Sequence, residues 1–444
     1  MTTNDIKVSD NDLFIISILK RLIPVSTAEA RIVLWAWLYI FSLFLAYYLL
    51  RPVRDSLGVS NGIENLPWLF TATMVTMLLL NPLFSALVRQ LPRARFIAVS
   101  YRFFTLNLLI FSGLFLSNNN DVQLWVSRAF FIWVSVFNLF VISVFWSTIV
   151  DAFSHEQGKR IFGFLAAAAT SGGILGSSLT GVLIAWVNTN WLLLFAAIFI
   201  EVAVFASSKV INKNASPDHR EHIANSNELP VGGSLLSGMT HTLRSPYLLG
   251  IAGFMVLYSL TSTFLYFQQA HIAAANFADS TERTLFFARI DLWVNIITLM
   301  CQLFLTAKLI EKMGIIFTLG ILPLVSIFGF SLLAATPTIA IFATVQIARR
   351  VTNFALARPT RELLFTSLSR EDRYKAKNFI DTVVYRLGDQ AGSWSYAGLI
   401  GLSLGMAELA VIAIPCCLIW LMLSIWLARK QLQTQSDESH EYSG

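Results

Sequence analysis

The amino-acid sequence predicts an all-α, polytopic membrane protein with twelve transmembrane helices in two six-helix bundles. Three observations carry that expectation: a composition rich in apolar and poor in charged residues, twelve apolar runs long enough to cross a bilayer, and a one-sided distribution of basic residues. Of the 444 residues, 56% are hydrophobic and 13% charged, with 35 Phe and 12 Trp. A soluble globular chain carries about 25% charge, so lipid is the solvent for most of this surface.

A span needs about 20 apolar residues, because 1.5 Å of rise per residue must cover roughly 30 Å of hydrocarbon. The runs that qualify are 32–50, 67–88, 96–117, 123–150, 161–186, 190–208, 246–269, 286–308, 315–336, 339–358, 378–400 and 408–428. With the N-terminus on the cytoplasmic side, inside loops and span edges hold 21 Lys and Arg, while outside loops hold only Arg51, Arg54 and Arg283. That asymmetry follows the positive-inside rule and predicts a multi-pass protein of the cell inner membrane with both termini in the cytoplasm. Residues 1–30 mix Lys7, Lys20 and Arg21 with Asp5, Asp10, Asp12 and Glu29, unlike a cleavable leader. Phe14–Ile23 reads as an amphipathic stretch lying at the interface.

The longest polar connection, Lys209–Ser245, contains ASPDHREHIANSNELPVGG and shows no apolar periodicity. It divides the chain into an N-terminal bundle at 1–208, a cytoplasmic linker at 209–245, and a C-terminal bundle with its tail at 246–444. A short internal similarity supports the division: FSHEQGKR and LSREDRYKAK align Ser154 and Glu156 with Ser369 and Glu371, 215 residues later. Two six-helix halves related by a parallel repeat resemble the major-facilitator layout.

Several function classes are set aside by what the sequence lacks. The three cysteines, Cys301, Cys416 and Cys417, lie in apolar runs and suggest neither a disulfide framework nor a metal knot. His219 and His222 are the closest histidines and have no further ligands around them, so no metal and no other cofactor is expected. No GxxxxGK[ST], HExxH or GxSxG occurs, and an enzyme is not expected. Nothing points to a nucleic-acid partner. The expected partners are the bilayer and a small solute, with the chain acting as a monomer.

Two patterns carry chemistry. The fifth span, GFLAAAATSGGILGSSLTG, offers Gly172 and Gly176 at GxxxG spacing, suited either to static close packing or to a surface that slides. Charges inside or beside spans are the sharper signal, because an intramembrane ion faces a water-filled cavity or another ion. The basic ones are Arg102, Arg128, Arg289, Arg349, Arg350, Arg358, Arg361 and Arg386, and the acidic ones Glu201, Asp291, Glu362, Asp381 and Asp389. Arg386 and Asp389 are spaced to neutralise each other at i, i+3, and Arg358 and Glu362 at i, i+4 with Pro359 between them. Gln346, Arg350 and Asn353 share one helical face, with Arg349 about 100° away. Arginine remains in excess after pairing. A guanidinium fork matches phosphate or carboxylate, so the excess points to an anionic substrate; tethers between helices are the competing reading for any one arginine.

YYLLRPVRDSLGV, residues 47–59, and ARPTRELLFTSLSREDRYKAKNFIDTVVYRLGDQAGSW, residues 357–394, resemble two blocks of the nucleotide transporters of plastids and intracellular bacteria, the ATP/ADP translocase group. Arg51, Arg54, Asp55, Ser56 and Leu57 occupy the places of the first block. Pro359 to Glu362, Lys375 to Lys377, Asp381, Val383, Val384 and Arg386 to Gly388 match the second. The resemblance implies a major-facilitator-like fold and nucleotide exchange, with Arg54 and Arg361 at positions the family fills with lysine. Pro52 departs from a family aspartate and Asp389 from a family lysine, while the fourth span lacks an acid near Val134, where Asn138 is the nearest polar residue.

Together these readings predict a secondary active transporter of an organic or phosphorylated anion, working by alternating access. Arg54, Arg102, Arg128, Arg289, Arg349, Arg350, Asn353 and Arg386 are the expected substrate contacts, and Asp55, Asp291, Asp381 and Asp389 the coupling or ion-pair residues. The alternative is a proton-coupled facilitator in which Asp291, Asp381 and Asp389 carry protons. Pro52 is expected to break or kink the first helix after Arg51.

Overall fold

The computed structural model describes residues 17, 25–90, 92–153, 155–213, 235–366, 368 and 376–441, and among them no strand occurs. The helices are α1 (Thr27–Ser60), α2 (Leu66–Gln90), α3 (Arg93–Leu114), α4 (Asn120–Ala152), α5 (His155–Leu183) and α6 (Thr189–Lys213). After them come α7 (Leu235–Arg244), α8 (Pro246–Asn276), α9 (Ser280–Phe304), α10 (Thr306–Ala335), α11 (Ile339–Thr352), α12 (Arg358–Leu363), α13 (Tyr385–Gly401) and α14 (Met406–Glu441). Among the described residues ten helices are long and apolar enough to cross a membrane. The remaining two runs from the sequence fall on helical paths cut by π-helical turns, Asn353–Ala357 between α11 and α12 and Ile380–Val384 before α13. The interfacial stretch at Phe14–Ile23 apart from Ser17, the His219–His222 pair, and Ser154, Ser369 and Glu371 of the short repeat lie outside the described residues. So does 214–234 of the linker, but its end is the helix α7 where no periodicity was expected.

Local chemistry explains the helix starts. Ser26 and Glu29 form a reciprocal capping box on α1, with Ser26 N–H donating to Glu29 Oε2 at 2.8 Å and Glu29 N–H to Ser26 Oγ at 3.2 Å. Asn119, Ser245, Asp279 and Thr338 cap α4, α8, α9 and α11 through their side chains. Gly314, at φ +69°, breaks the regular path inside α10, a conformation that other residues rarely adopt.

Pro52 does not break α1, which runs unbroken through it to Ser60. Proline removes one helical N–H and so frees the carbonyl four residues earlier, that of Tyr48. The Thr180 hydroxyl, on α5, lies 3.4 Å from that oxygen and shares its proton between it and Gly176 O, at 3.0 Å. A neighbouring helix thus satisfies the freed group, as membrane interiors require. Because α1 continues, Arg51 and Arg54 belong to the helix and not to an outside loop.

α5 approaches α1 at Gly172 and Gly176: a Cβ at Gly172 would collide with the Phe41 carbonyl, and one at Gly176 would lie 2.6 Å from that of Leu45. α13 approaches α8 in the same way, where Cβ atoms at Gly388 and Gly392 would lie 3.1 Å from Val256 O and 3.0 Å from Leu260 O. The second pair of glycines follows the first by 216 residues and its carbonyl partners follow theirs by 215. The two helix pairs therefore repeat one packing device.

Buried apolar residues fall into three clusters. One joins α1 and α3–α6, from Ala30 to Val210. Another joins α8, α10, α13 and α14 with the turns around them, from Leu248 to Ala428. The third bridges the two sets: Val59, Leu66, Leu69 and Phe131 pack with Phe264, Phe267, Ala270, Phe287 and others. It lies at the end of the bundle where α1 terminates, here called the far end. There Arg283 Nη2 donates to Ser60 Oγ at 2.9 Å and Ser56 Oγ to Ser280 O at 2.9 Å, closing the seam. α5 and α9 pack antiparallel beside it, with Thr170 Oγ1 donating to Gln302 Oε1 at 3.3 Å.

Candidate functional site

The last turns of α1 project Arg51, Arg54 and Asp55 at i, i+3 and i+4, so all three share a face directed at the seam. Arg51 Nη1 donates to Asp291 Oδ1 of α9 at 2.8 Å, and Arg350 Nη1 of α11 donates to the same oxygen at 2.6 Å. One carboxylate, itself buried, therefore holds a guanidinium from each helix set. Arg54 grips Asp55 Oδ1 through Nε at 2.9 Å and Nη2 at 2.5 Å, donates to Ser135 Oγ of α4 at 3.2 Å, and lies over the Phe131 ring. Tyr266 of α8 donates its hydroxyl to the same Asp55 oxygen at 3.0 Å. Arg51 Nε is 3.9 Å from Asp55 Oδ2, which joins the two groups into one network.

The second helix set supplies the other wall. Arg386 Nη1 meets Asp389 Oδ2 at 3.1 Å, the i, i+3 pair read from spacing, while Ser259 and Thr263 donate to Asp389 Oδ1 at 2.5 and 3.2 Å. Asn353 Nδ2 donates to the Tyr258 hydroxyl at 2.9 Å and Gln346 Nε2 to Gln269 Oε1 at 2.7 Å. Arg349 is buried with no carboxylate among its partners. It donates to Ser326 Oγ, Ser262 Oγ, Thr261 Oγ1 and Tyr258 O at 3.0, 2.8, 2.8 and 3.2 Å, with Tyr258 and Trp420 flanking the guanidinium. Arg349 thus ties α11 to α8 and α10, whereas its neighbour Arg350 faces the seam.

Charge in this region does not balance. Arg51, Arg54, Arg350 and Arg386 meet Asp55, Asp291 and Asp389, four cations against three anions, and Arg349 adds a further buried cation behind them. Arg350 Nη2 and Asp291 Oδ2 are buried without hydrogen-bond partners, which leaves donor and acceptor capacity at the junction of the two sets. Planar guanidiniums with free N–H groups in a place poor in water bind phosphate or carboxylate oxygens strongly.

Other residues named from sequence sit elsewhere. Arg102 is on the outward face of α3, 3.6 Å from Glu201 of α6. Arg128 stacks on Trp125, itself largely exposed, and Arg289 is exposed on α9. Asp381, within the second π turn, pairs with Arg361 at 3.2 Å. The expected Arg358–Glu362 pair does not form: Arg358 is exposed, and Glu362 turns to Lys377 and to Arg361. The readings that placed Arg102, Arg128 and Arg289 among the substrate contacts are therefore corrected, while Asp381 is an ion-pair residue away from the seam. Sequence cannot assign faces on a helix that is apolar all round.

Sequence reasoning named Arg51 in the first resembling block but not among the expected contacts, and it passed over Tyr258, Tyr266 and Ser135. The i, i+3, i+4 spacing of Arg51, Arg54 and Asp55 already placed the first beside the other two. Tyr258 and Tyr266 stand eight residues apart, on one face of α8, and that spacing was a usable signal too.

Comparisons with known proteins agree with this architecture. The model of the Major Facilitator Superfamily matches residues 32–388. The chain is 24% identical to ADP,ATP carrier protein 1 of Chlamydia pneumoniae over 498 aligned positions, covering 93% of this chain and 94% of that one. It is 22% identical to ADP,ATP carrier protein 1 of Chlamydia muridarum, over 90% and 88% of the two chains. Among solved structures it is similar to a bacterial homologue of the iron transporter ferroportin in the inward-facing state, with TM-score 0.63, 12% identity, and coverage of 90% and 98%. It is also similar to a bacterial homologue of the human lysosomal transporter Spinster, inward-facing and unoccupied, with TM-score 0.57, 13% identity, and coverage of 92% and 99%. At these identities the two structures speak to the fold alone. A multi-pass helical bundle with charge gathered on its internal seam, matched over most of its length by the family model, belongs to the Major Facilitator Superfamily of membrane transporters.

Proposed function

We propose that this transporter exchanges an organic or phosphorylated anion, with nucleotides such as ATP and ADP the leading candidates, by alternating access. One observation carries the reading: Arg51 and Arg350, from opposite helix sets, share the single oxygen Asp291 Oδ1, inside a region where guanidiniums outnumber carboxylates. An anion with several oxygens competes with Asp291 and Asp55 for these forks. Such competition loosens the far-end seam only when substrate is present, which is what an exchanger needs. The similarity to ADP,ATP carrier proteins over nearly the whole chain supports a nucleotide.

In this reading the halves 1–208 and 246–444 rock about the seam, with 209–245 as the cytoplasmic linker, twelve spans in all, and both termini in the cytoplasm. The closed far end then faces outward, and the near end, where α1 begins, opens to the cytoplasm. Arg54, Arg350 and Arg386 are the leading contacts, with Asn353 beside them, and the path is complete within one chain.

Thermal-shift measurements on purified protein with nucleotides, sugar phosphates and carboxylates test the assignment. Nucleotide di- or triphosphate is expected to raise the melting temperature of the parent and to have much less effect on Arg54→Ala. A parent that responds to no anion, or a variant that responds like the parent, overturns it. Proton coupling at Asp389 would instead give uptake that a protonophore abolishes.

A further inference from the structure

Arg102 and Glu201 stand where an ion pair left in contact with lipid is costly. Arg102 lies roughly 14 Å from one end of α3 and 18 Å from the other, and Glu201 roughly 18 Å from either end of α6, at 1.5 Å per residue. Both are therefore near mid-height of helices that cross the membrane. Their side chains are 66% and 42% exposed and point outward, away from the seam. Snorkelling rescues long basic side chains near helix ends, not at mid-depth. Ionisable groups inside membranes otherwise face a bundle interior or a water-filled path. The ridge around this pair, with Phe103, Leu106, Ile198 and Phe205 all exposed, is apolar and offers neither.

We propose that the α3–α6 face is the contact surface of a homodimer, in which Arg102 of each copy lies against Glu201 of the other. The charge pattern selects the occupant. One cation beside one anion makes a patch that is complementary to itself under a two-fold rotation, as an isologous contact requires. A lipid tail or an apolar partner helix leaves each ion with only the other, at 3.6 Å, as its partner, whereas a second copy adds an opposite charge to each and covers the ridge with apolar side chains. Interhelical polar contacts of this kind are a recognised glue between membrane helices. The surface lies on the opposite side of α3 and α6 from the core that packs them against α1 and α4, so pairing leaves the seam free to open. The dimer replaces the monomer expected from sequence.

Complementary charge reversals separate a contact between copies from a pair within one copy. R102E puts two acids on the patch, and E201R puts two guanidiniums there. The full-length proteins, labelled in two colours and reconstituted at low density in phosphatidylethanolamine/phosphatidylglycerol vesicles, are counted by single-molecule photobleaching. The parent is expected to bleach in two steps. Each reversal alone is expected to lose at least ten-fold in dimer fraction, and the mixture to recover two-colour pairs of one R102E and one E201R copy. Leu106→Trp keeps the ion pair and is expected to lower the dimer fraction several-fold by its bulk alone. A parent that bleaches in one step overturns the proposal. So does a single reversal that pairs as the parent does, a mixture that fails to recover, or a tryptophan that changes nothing.

Discussion

The seam between the helix sets and the outward face of α3–α6 both carry arginine at membrane depth, yet the two regions treat it differently. In the seam each carboxylate has several donors: Asp291 takes two guanidiniums, and Asp55 takes Arg54 and Tyr266. On the outward face Arg102 has one loose partner, and the Glu201 side chain is left partly exposed. On the proposed function, dense sharing and excess positive charge suit rearrangement by an anion. A balanced, exposed pair describes a place built to be covered. Burial and stoichiometry, not the mere presence of arginine, distinguish the two.

Removing the shared carboxylate breaks the comparison most severely. Asp291→Asn leaves Arg51 and Arg350 facing each other without their anion, and loss of one partner of a buried pair costs about 3–5 kcal/mol. A large fall in melting temperature is expected, with partial recovery when nucleotide is added. An unchanged melting temperature would show that the seam is not held by this residue. Next in size are the glycine contacts. Gly176→Val and Gly388→Val each force a side chain into a facing helix, and overpacking costs about 1–3 kcal/mol. Similar losses in thermal unfolding are expected from both, because the two positions serve one repeated device; a loss at only one would break that equivalence.

Arg349 and Arg350 sharpen the contrast within a single helical turn. Arg349→Met removes the charged donor from Ser326, Ser262 and Thr261, whose hydrogen bonds to a charged group are worth about 1.5–3 kcal/mol each. Stability is expected to fall while substrate KM stays close to the parent value. Arg350→Met is expected to raise KM or abolish transport, and transport kinetics of the pair in proteoliposomes would expose an exchange of roles. The smallest effect belongs to the perimeter. Arg289→Gln is expected to stay within about 0.5 kcal/mol of the parent and to transport normally, as exposed sites away from such networks do. A transport defect there would place Arg289 on the substrate path.

Much of the fold was legible because membrane crossing is a matter of length and apolarity. The fifth span declared its packing through Gly172 and Gly176, and Arg386 and Asp389 declared their pairing through spacing on one helix. What could not be read was whatever depends on contacts between distant helices. Asp291 lies 240 residues from Arg51, and nothing local marks it as the partner. The π turns after Thr352 and before Tyr385 were hidden among ordinary apolar residues, with Pro359 the only hint. Pro52 misled for the same reason, since the hydroxyl that repairs its missing bond belongs to Thr180 on another helix. Arg102 was grouped with the central residues because a span that is apolar on every side carries no stripe to say which face looks inward.

Counter-exchange in proteoliposomes tests the central claim most directly. Vesicles loaded with ADP, and empty vesicles, are given labelled ATP outside with and without a protonophore, using the parent and Arg350→Ala. Uptake that requires internal ADP, ignores the protonophore, and falls on the order of 100-fold in the variant is the result expected if the guanidiniums of the seam carry the anion. Uptake into empty vesicles that collapses with the protonophore, or a variant as active as the parent, would contradict it.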